Sequence, residues 1–187
     1  MKRKIAFLAV CAAVLCCFVG CQPKESKKEE TKIEYANTQV SKQMSDSYED
    51  ALKECFDATY SLGGGEVFYA YMYPNAAIDA MKASGEYEKL IATFNQGQEN
   101  RFSQNDDKFT FEKITNATEI TDKQIEGIKG YFKEMCEEFV EGVTEEQFTV
   151  GKGYEVTFSY LNNGEQSGSE TVIILKLNDE GWKVITA

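Results

Sequence analysis

The 187-residue chain contains no histidine. That absence excludes Ser-His-Asp and Cys-His nucleophilic machinery, and with them any histidine general base. It also removes the commonest side-chain ligand for a transition metal. Positive charge is in short supply too: 20 Lys and Arg face 31 Asp and Glu, for a formal charge of −11. So acidic a chain is a poor partner for nucleic acid or anionic lipid headgroups, and the plain role of its charge is solubility. Paired carboxylates occur at Asp106-Asp107, Glu137-Glu138 and Glu145-Glu146, but none belongs to an Asp-x-Asp-x-Asp-Gly pattern. They read as solvated faces, not calcium loops.

What is present begins with an export signal. Met1-Lys2-Arg3-Lys4 is a short cationic start, and the weakly polar to apolar run from Ile5 to Val19 follows without interruption. A run of that length is too short for a comfortable membrane span of about 20 residues, and its layout is that of a secretory signal peptide. Phe18-Val19-Gly20-Cys21 then resembles the lipobox of bacterial lipoproteins, with Phe18 where Leu is usual. The resemblance implies cleavage before Cys21 and a diacylglyceryl group on its thiol. Residues 1–20 are thus expected to be a lipoprotein signal peptide, with the mature chain held through Cys21 on the outer face of the cytoplasmic membrane. Each acyl methylene buried contributes about 0.8 kcal/mol, so two or three chains make a stable anchor.

Removing Lys2, Arg3 and Lys4 with the signal takes the formal charge from −11 to −14. Of six cysteines, Cys11, Cys16 and Cys17 leave with it and Cys21 is lipidated, so Cys55 and Cys136 remain. Both fall on apolar helix faces. Two free thiols packed as small hydrophobes is the reading adopted. A disulfide between packed helices is the alternative that an extracytoplasmic compartment permits. No cofactor and no metal site is expected, since no CxxC pattern survives.

Residues 22–44 are polar and charge-mixed, and read as a flexible tether. Residues 45–187 suit one domain. A first helix is expected over 45–61, capped by Ser45 or Asp46, with Tyr48, Ala51, Leu52, Cys55 and Phe56 on one face. Gly63-Gly64-Gly65 stops it, and lacks the Lys-Ser/Thr of a phosphate loop. Residues 66–73 are dense in aromatics and by composition suit a strand, while their place between helical segments favours a short helix; a helix beginning at Pro74-Asn75 and a longer one over 86–102 follow. Alternation of Phe109 and Phe111 marks a strand over 108–119, and Thr121 with Gln124 is a capping-box signature for a helix over 122–141. Tyr154, Val156, Phe158 and Tyr160 alternate with polar residues, and Asn163-Gly164 is a strong two-residue hairpin turn. Pairing about it sets Tyr154 opposite Ile173. A second turn at Asn178-Asp179-Glu180-Gly181 sets Leu177 opposite Trp182 and Leu175 opposite Val184. The result is a three-strand meander over 147–186 with one buried and one wet face.

This order of elements resembles a large group of Gram-positive lipoproteins with the nuclear transport factor 2-like fold. Tyr71-Met72-Tyr73-Pro74 through Ser84-Gly85-Glu86-Tyr87 is similar to their helical half, and Gly181-Trp182-Lys183-Val184 to their last strand. The resemblance implies an α+β fold: N-terminal helices on a curved, mainly antiparallel sheet of about four strands, a cone whose open end can hold a ligand. Such a fold hosts isomerases, dehydratases and binding modules alike.

The expected role is a ligand-binding or protein-interaction module at the cell envelope, non-enzymatic, taking a small ligand or an envelope protein. The aromatic surplus of Tyr69, Tyr71, Tyr73, Tyr154, Phe158, Tyr160 and Trp182 motivates it, since aromatics offer contact area with a polar handle. Tyr69, Tyr71, Tyr73 and Tyr160 are the candidate pocket. The alternative is a small enzyme of the steroid-isomerase or dehydratase-like type, with Asp57 or Asp79 as base and Tyr69 or Tyr71 in an oxyanion hole. The anchor is directly testable. Cys21→Ser is expected to move the protein from the membrane fraction to the soluble one, and continued acylation with membrane retention would contradict it.

Overall fold

The computed structural model describes residues 46–186. The signal peptide, Cys21 and the tether through residue 44 lie outside the described residues. Helix α1 spans Tyr48–Thr59. Its cap is Ser47, one position later than expected, because Ser47 takes the extended conformation and its Oγ accepts from the Asp50 N–H at 3.1 Å. Ala51, Leu52, Cys55, Phe56 and Ala58 form its buried face. The turn after it is held by close approach: a Cβ on Gly64 would collide with the Ala58 carbonyl. The glycine run is therefore a helix-to-helix corner.

From that corner run α2 (Gly65–Met72), α3 (Asn75–Ser84) and α4 (Glu86–Gln104). Two amides fix α4 against the corner. Asn95 Oδ1 accepts from the Gly65 N–H at 3.0 Å, and Gln98 Nε2 donates to the Thr59 carbonyl at 2.7 Å. After strand β1 (Phe109–Glu119), the Thr121–Gln124 capping box opens α5 (Asp122–Glu137), as expected. That helix ends about a turn short of residue 141, where Phe139 and Val140 both donate back to the Cys136 carbonyl. No described helix is long and apolar enough to cross a membrane.

A 3-10 turn at Glu145–Gln147 leads into β2 (Val150–Asn162), β3 (Glu165–Leu177) and β4 (Trp182–Thr186). The strands form one antiparallel sheet in the order β1-β2-β3-β4. Helices packed on this curved four-stranded sheet make the α+β architecture expected, consistent with a nuclear transport factor 2-like cone.

The register corrects the expected pairing. Asn162 does pair with Glu165 across the Asn163-Gly164 turn, but an irregularity between Tyr160 and Leu161 admits one extra residue on β3. Tyr154 therefore faces Ile174 and not Ile173. The turn before β4 is one residue shorter than expected: the Leu177 N–H donates to the Gly181 carbonyl at 3.0 Å, so Trp182 pairs with Lys176 and Val184 with Ile174. A one-residue slip moves a whole row of side chains to the other face. Val172, Ile174, Trp182 and Val184 join Val156 and Phe158, against α1 and the end of α2. Leu175 and Leu177, with Ile173 and Ile185 beside them, pack on the opposite face in a second core with α3 and α5. The meander is thus buried on both faces around Ile174, Leu175 and Val184, and wet where Glu155 and Thr171 stand exposed on one face and Lys176 at the edge of the other. Gly153 belongs to the second core's side: a Cβ there would collide with the Ile120 side chain, which occupies that space.

Helix α2 serves both cores, with Tyr69 in one and Tyr71 and Met72 in the other. What joins it to the sheet is Lys183 of β4, whose side chain is fully buried. Its Nζ donates to the Ala70 carbonyl at 3.0 Å, the Tyr73 carbonyl at 2.7 Å and Asn75 Oδ1 at 3.4 Å, and lies 3.3 Å from Glu180 Oε2. Burial lowers its pKa, with the Glu180 carboxylate opposing that fall. Removing one partner of such a pair strands the other. Lys183→Met is expected to cost about 3–5 kcal/mol in urea denaturation, and an unchanged midpoint would show that the contact contributes no net stability.

Candidate functional site

The four tyrosines singled out from sequence are dispersed. Tyr69 is buried in the core shared with α3 and α5, while Tyr71 is buried in the other core and donates to Glu54 Oε2 at 2.8 Å. Tyr73 is half-buried at the junction of the two. Tyr160 lies at the far end of β2 among Phe56 and Phe109, and a Cβ on Gly168 would stand 2.6 Å from its Oη. Asp57 is exposed and held by Lys53 Nζ at 2.6 Å, and Asp79 is exposed on α3. Among the described residues, no group of three acidic or cysteine side chains is placed to hold a metal ion.

A different set of aromatics comes together at the start of α1. Tyr48 opens that helix, Tyr154 comes from β2 and Trp182 opens β4. The Tyr48 and Tyr154 rings lie 4.5 Å apart, and Trp182 stands 6.1 Å from Tyr48 and 6.4 Å from Tyr154. Trp182 is buried and fixed by its Nε1, which donates to the Asp46 carbonyl at 3.4 Å. Tyr48 and Tyr154 are half-buried, so ring surface remains open. They floor a groove of about 460 Å³ whose other walls are Asp46, Ser47, Glu49, Lys152 and Lys176.

Charge divides across this groove. Asp46 and Glu49 line the helix side, and Lys152 and Lys176 the strand side. Lys176 Nζ lies over the Trp182 ring, 5.3 Å from its centroid. Among the described residues neither lysine has a carboxylate partner, although acidic residues far outnumber basic ones. Desolvation first, and the neighbouring Glu49 second, raise the Tyr48 pKa, so its phenol stays neutral at physiological pH. A smaller cleft of about 320 Å³ lies between the β3–β4 turn and the segment after α5, lined by Val140, Val143, Phe148 and Glu180 among others. Its polar groups are committed to the fold. Gln147 Oε1 accepts from the Thr144 N–H, Asn178 Oδ1 from the Thr149 N–H, and Glu180 from the Asn75 N–H.

Sequence reasoning placed Tyr48 on a core face and counted Tyr154 and Trp182 in the aromatic surplus, without bringing the three together. Lys152 and Lys176 drew no attention, because nothing adjacent to either in the chain marks it. Comparison with family models, with curated proteins and with solved structures gave no match to the chain.

Cys55 and Cys136 are separate free thiols, one in each core. Burial pushes Cys55 up to about 12 and Cys136 to about 11, and the phenols of Tyr60 and Tyr87 to about 12. In the unfolded chain such groups ionise near about 8.5 to 10. The folded state keeps protons there that the unfolded state releases, so stability falls as pH climbs from about 9 towards 12. Lys183, with its lowered pKa, acts in the opposite sense, as one group against four. The urea midpoint is expected to be lower at pH 10.5 than at pH 7.5, and neither thiol should react with a thiol reagent before unfolding. An equal midpoint, or rapid native labelling, would contradict this burial.

Proposed function

We propose that residues 46–186 are the ligand-binding domain of a lipid-anchored envelope protein, and that the groove at Tyr48, Tyr154 and Trp182 is where it binds. The observation that carries this reading is the combination in one place of an open aromatic floor and two lysines without carboxylate partners. Here the fold fixes Trp182 from behind and leaves the two tyrosines half-open. The groove's size falls in the range of about 300–1,000 Å³ typical of small-molecule sites. The anchor rests on the lipobox-like Phe18-Val19-Gly20-Cys21, and would place the domain outside the cytoplasmic membrane.

Native and denaturing mass spectrometry of residues 22–187, exported and purified from the natural host, tests this. The native spectrum is expected to carry an added mass that the denaturing spectrum lacks, and Tyr154→Ala should lose it while keeping a cooperative melt. An added mass that persists in a folded Tyr154→Ala protein would move the site elsewhere, and a bare mass with saturable capture of an envelope protein would replace the small-ligand reading.

A further inference from the structure

Resting on that reading, we infer that the ligand is an acidic sugar: a polyhydroxylated ring carrying a carboxylate or a phosphate ester. Three features of the groove each ask for one part of such a molecule. Tyr48 and Tyr154 pack on each other at 4.5 Å and keep part of their surface exposed, an apolar contact that suits the C–H groups of a pyranose ring. Asp46 and Glu49 on the helix side are acceptors only when ionised, and so call for hydroxyl or amine donors. Lys152 and Lys176 on the strand side are donors only, and call for an anion. A neutral sugar would leave the lysines unanswered, and a simple carboxylic acid would leave the carboxylates and the rings unanswered.

A cationic aromatic ligand is disfavoured by the same geometry. The Lys176 ammonium already stands over Trp182, so the ring best suited to attract a cation is occupied. The two lysines also sit on paired strands, with Gly151 opposite Lys176: a Cβ on Gly151 would lie 3.4 Å from the Lys176 Cβ. Both lysines thus line the groove from its strand side.

The chain's single tryptophan lies in this groove, so its emission reports occupancy without a label. The mature protein would be titrated with glucose, glucuronate, glucose 6-phosphate and, as an anion without a ring, succinate. Glucuronate or glucose 6-phosphate is expected to give a saturable emission change, with glucose binding about tenfold more weakly or worse, as loss of a charge-assisted hydrogen bond predicts. The stronger of the two anionic sugars identifies the acid group. Lys152→Gln and Lys176→Gln, both at exposed positions, should each weaken the acidic sugars, leave glucose unchanged and reduce the salt dependence of binding. Equal binding of glucose and glucuronate, succinate binding as well as glucuronate, or lysine variants without effect would each overturn the acidic-sugar assignment. None of those results would touch the binding-module reading, which stands or falls on the mass-spectrometric adduct and its loss in Tyr154→Ala. Absence of any sugar response in a protein that retains that adduct would likewise overturn the assignment alone.

Discussion

The buried ammonium of Lys183 is the constraint around which the rest is arranged. It sits where α2 ends, and the Ala70 and Tyr73 carbonyls it binds are among those a helix C-terminus leaves without partners. A cation there also meets the negative end of the helix dipole. Glu180 completes the arrangement from the other side of Pro74, accepting from the Asn75 N–H at the start of α3 while pairing with Lys183. One lysine and one glutamate thus hold the end of one helix, the beginning of the next and the last strand. An apolar side chain at position 183 would pack, but it would leave the Ala70 and Tyr73 carbonyls without the lysine and remove the cation paired with Glu180, and a buried polar group without a partner is more costly than the contact is favourable.

That arrangement follows from the register of β4. Because Leu177 bonds to Gly181 and Trp182 pairs with Lys176, Lys183 points into the core shared with α3 and α5, and Trp182 to the side of α1. The sheet therefore carries two cores at its β3–β4 end. Helix α2, with residues in each, closes the molecule along β4. The same register delivers Trp182 to Tyr48 and Tyr154 and its Nε1 to the Asp46 carbonyl. Fold and candidate site share one cause: the strand that fixes the helices also builds the floor of the groove.

Two lysines stand together at the groove of a chain with a large acidic excess. Some lysines are answered by neighbouring carboxylates, as in Lys53–Asp57 and Lys133–Glu137 at i,i+4 spacing on their helices, while Lys82, Lys89, Lys108, Lys123 and Lys129, like the groove pair, form no ion pair among the described residues. Such exposed pairs contribute little to stability, but they leave no local charge to attract a ligand. Lys152 and Lys176 instead stand on strands, facing the groove. In a molecule with so large an acidic excess, an anion is repelled from most approaches and attracted at few, which favours encounter at a place where positive charge is left unpaired.

Local chemistry was legible in the sequence. The capping box at Thr121–Gln124, the stop at the triple glycine and the Asn163-Gly164 turn all rest on forces that act within a few residues, and each stands in the structure, whereas the stretch ending at Tyr73, strand-like by composition, is a helix. The order of helices and strands, and so the α+β architecture, follows from them. What the sequence could not decide was register, because a single extra residue at a bulge leaves the alternation pattern unchanged while exchanging the faces. Alternation with Trp182 and Val184 gives no sign that Lys183 is buried, and only packing against the end of α2 supplies the carbonyls that make its burial tolerable. The same limit hid the groove. Tyr48, Lys152, Tyr154, Lys176 and Trp182 are spread along the length of the domain and meet only once three strands and the first helix have taken their places. The chain by itself determined its elements and the types of residue able to carry chemistry, since those depend on neighbours in sequence. Tertiary structure decided which of them share a face and which charges remain unpaired, since that depends on neighbours in space.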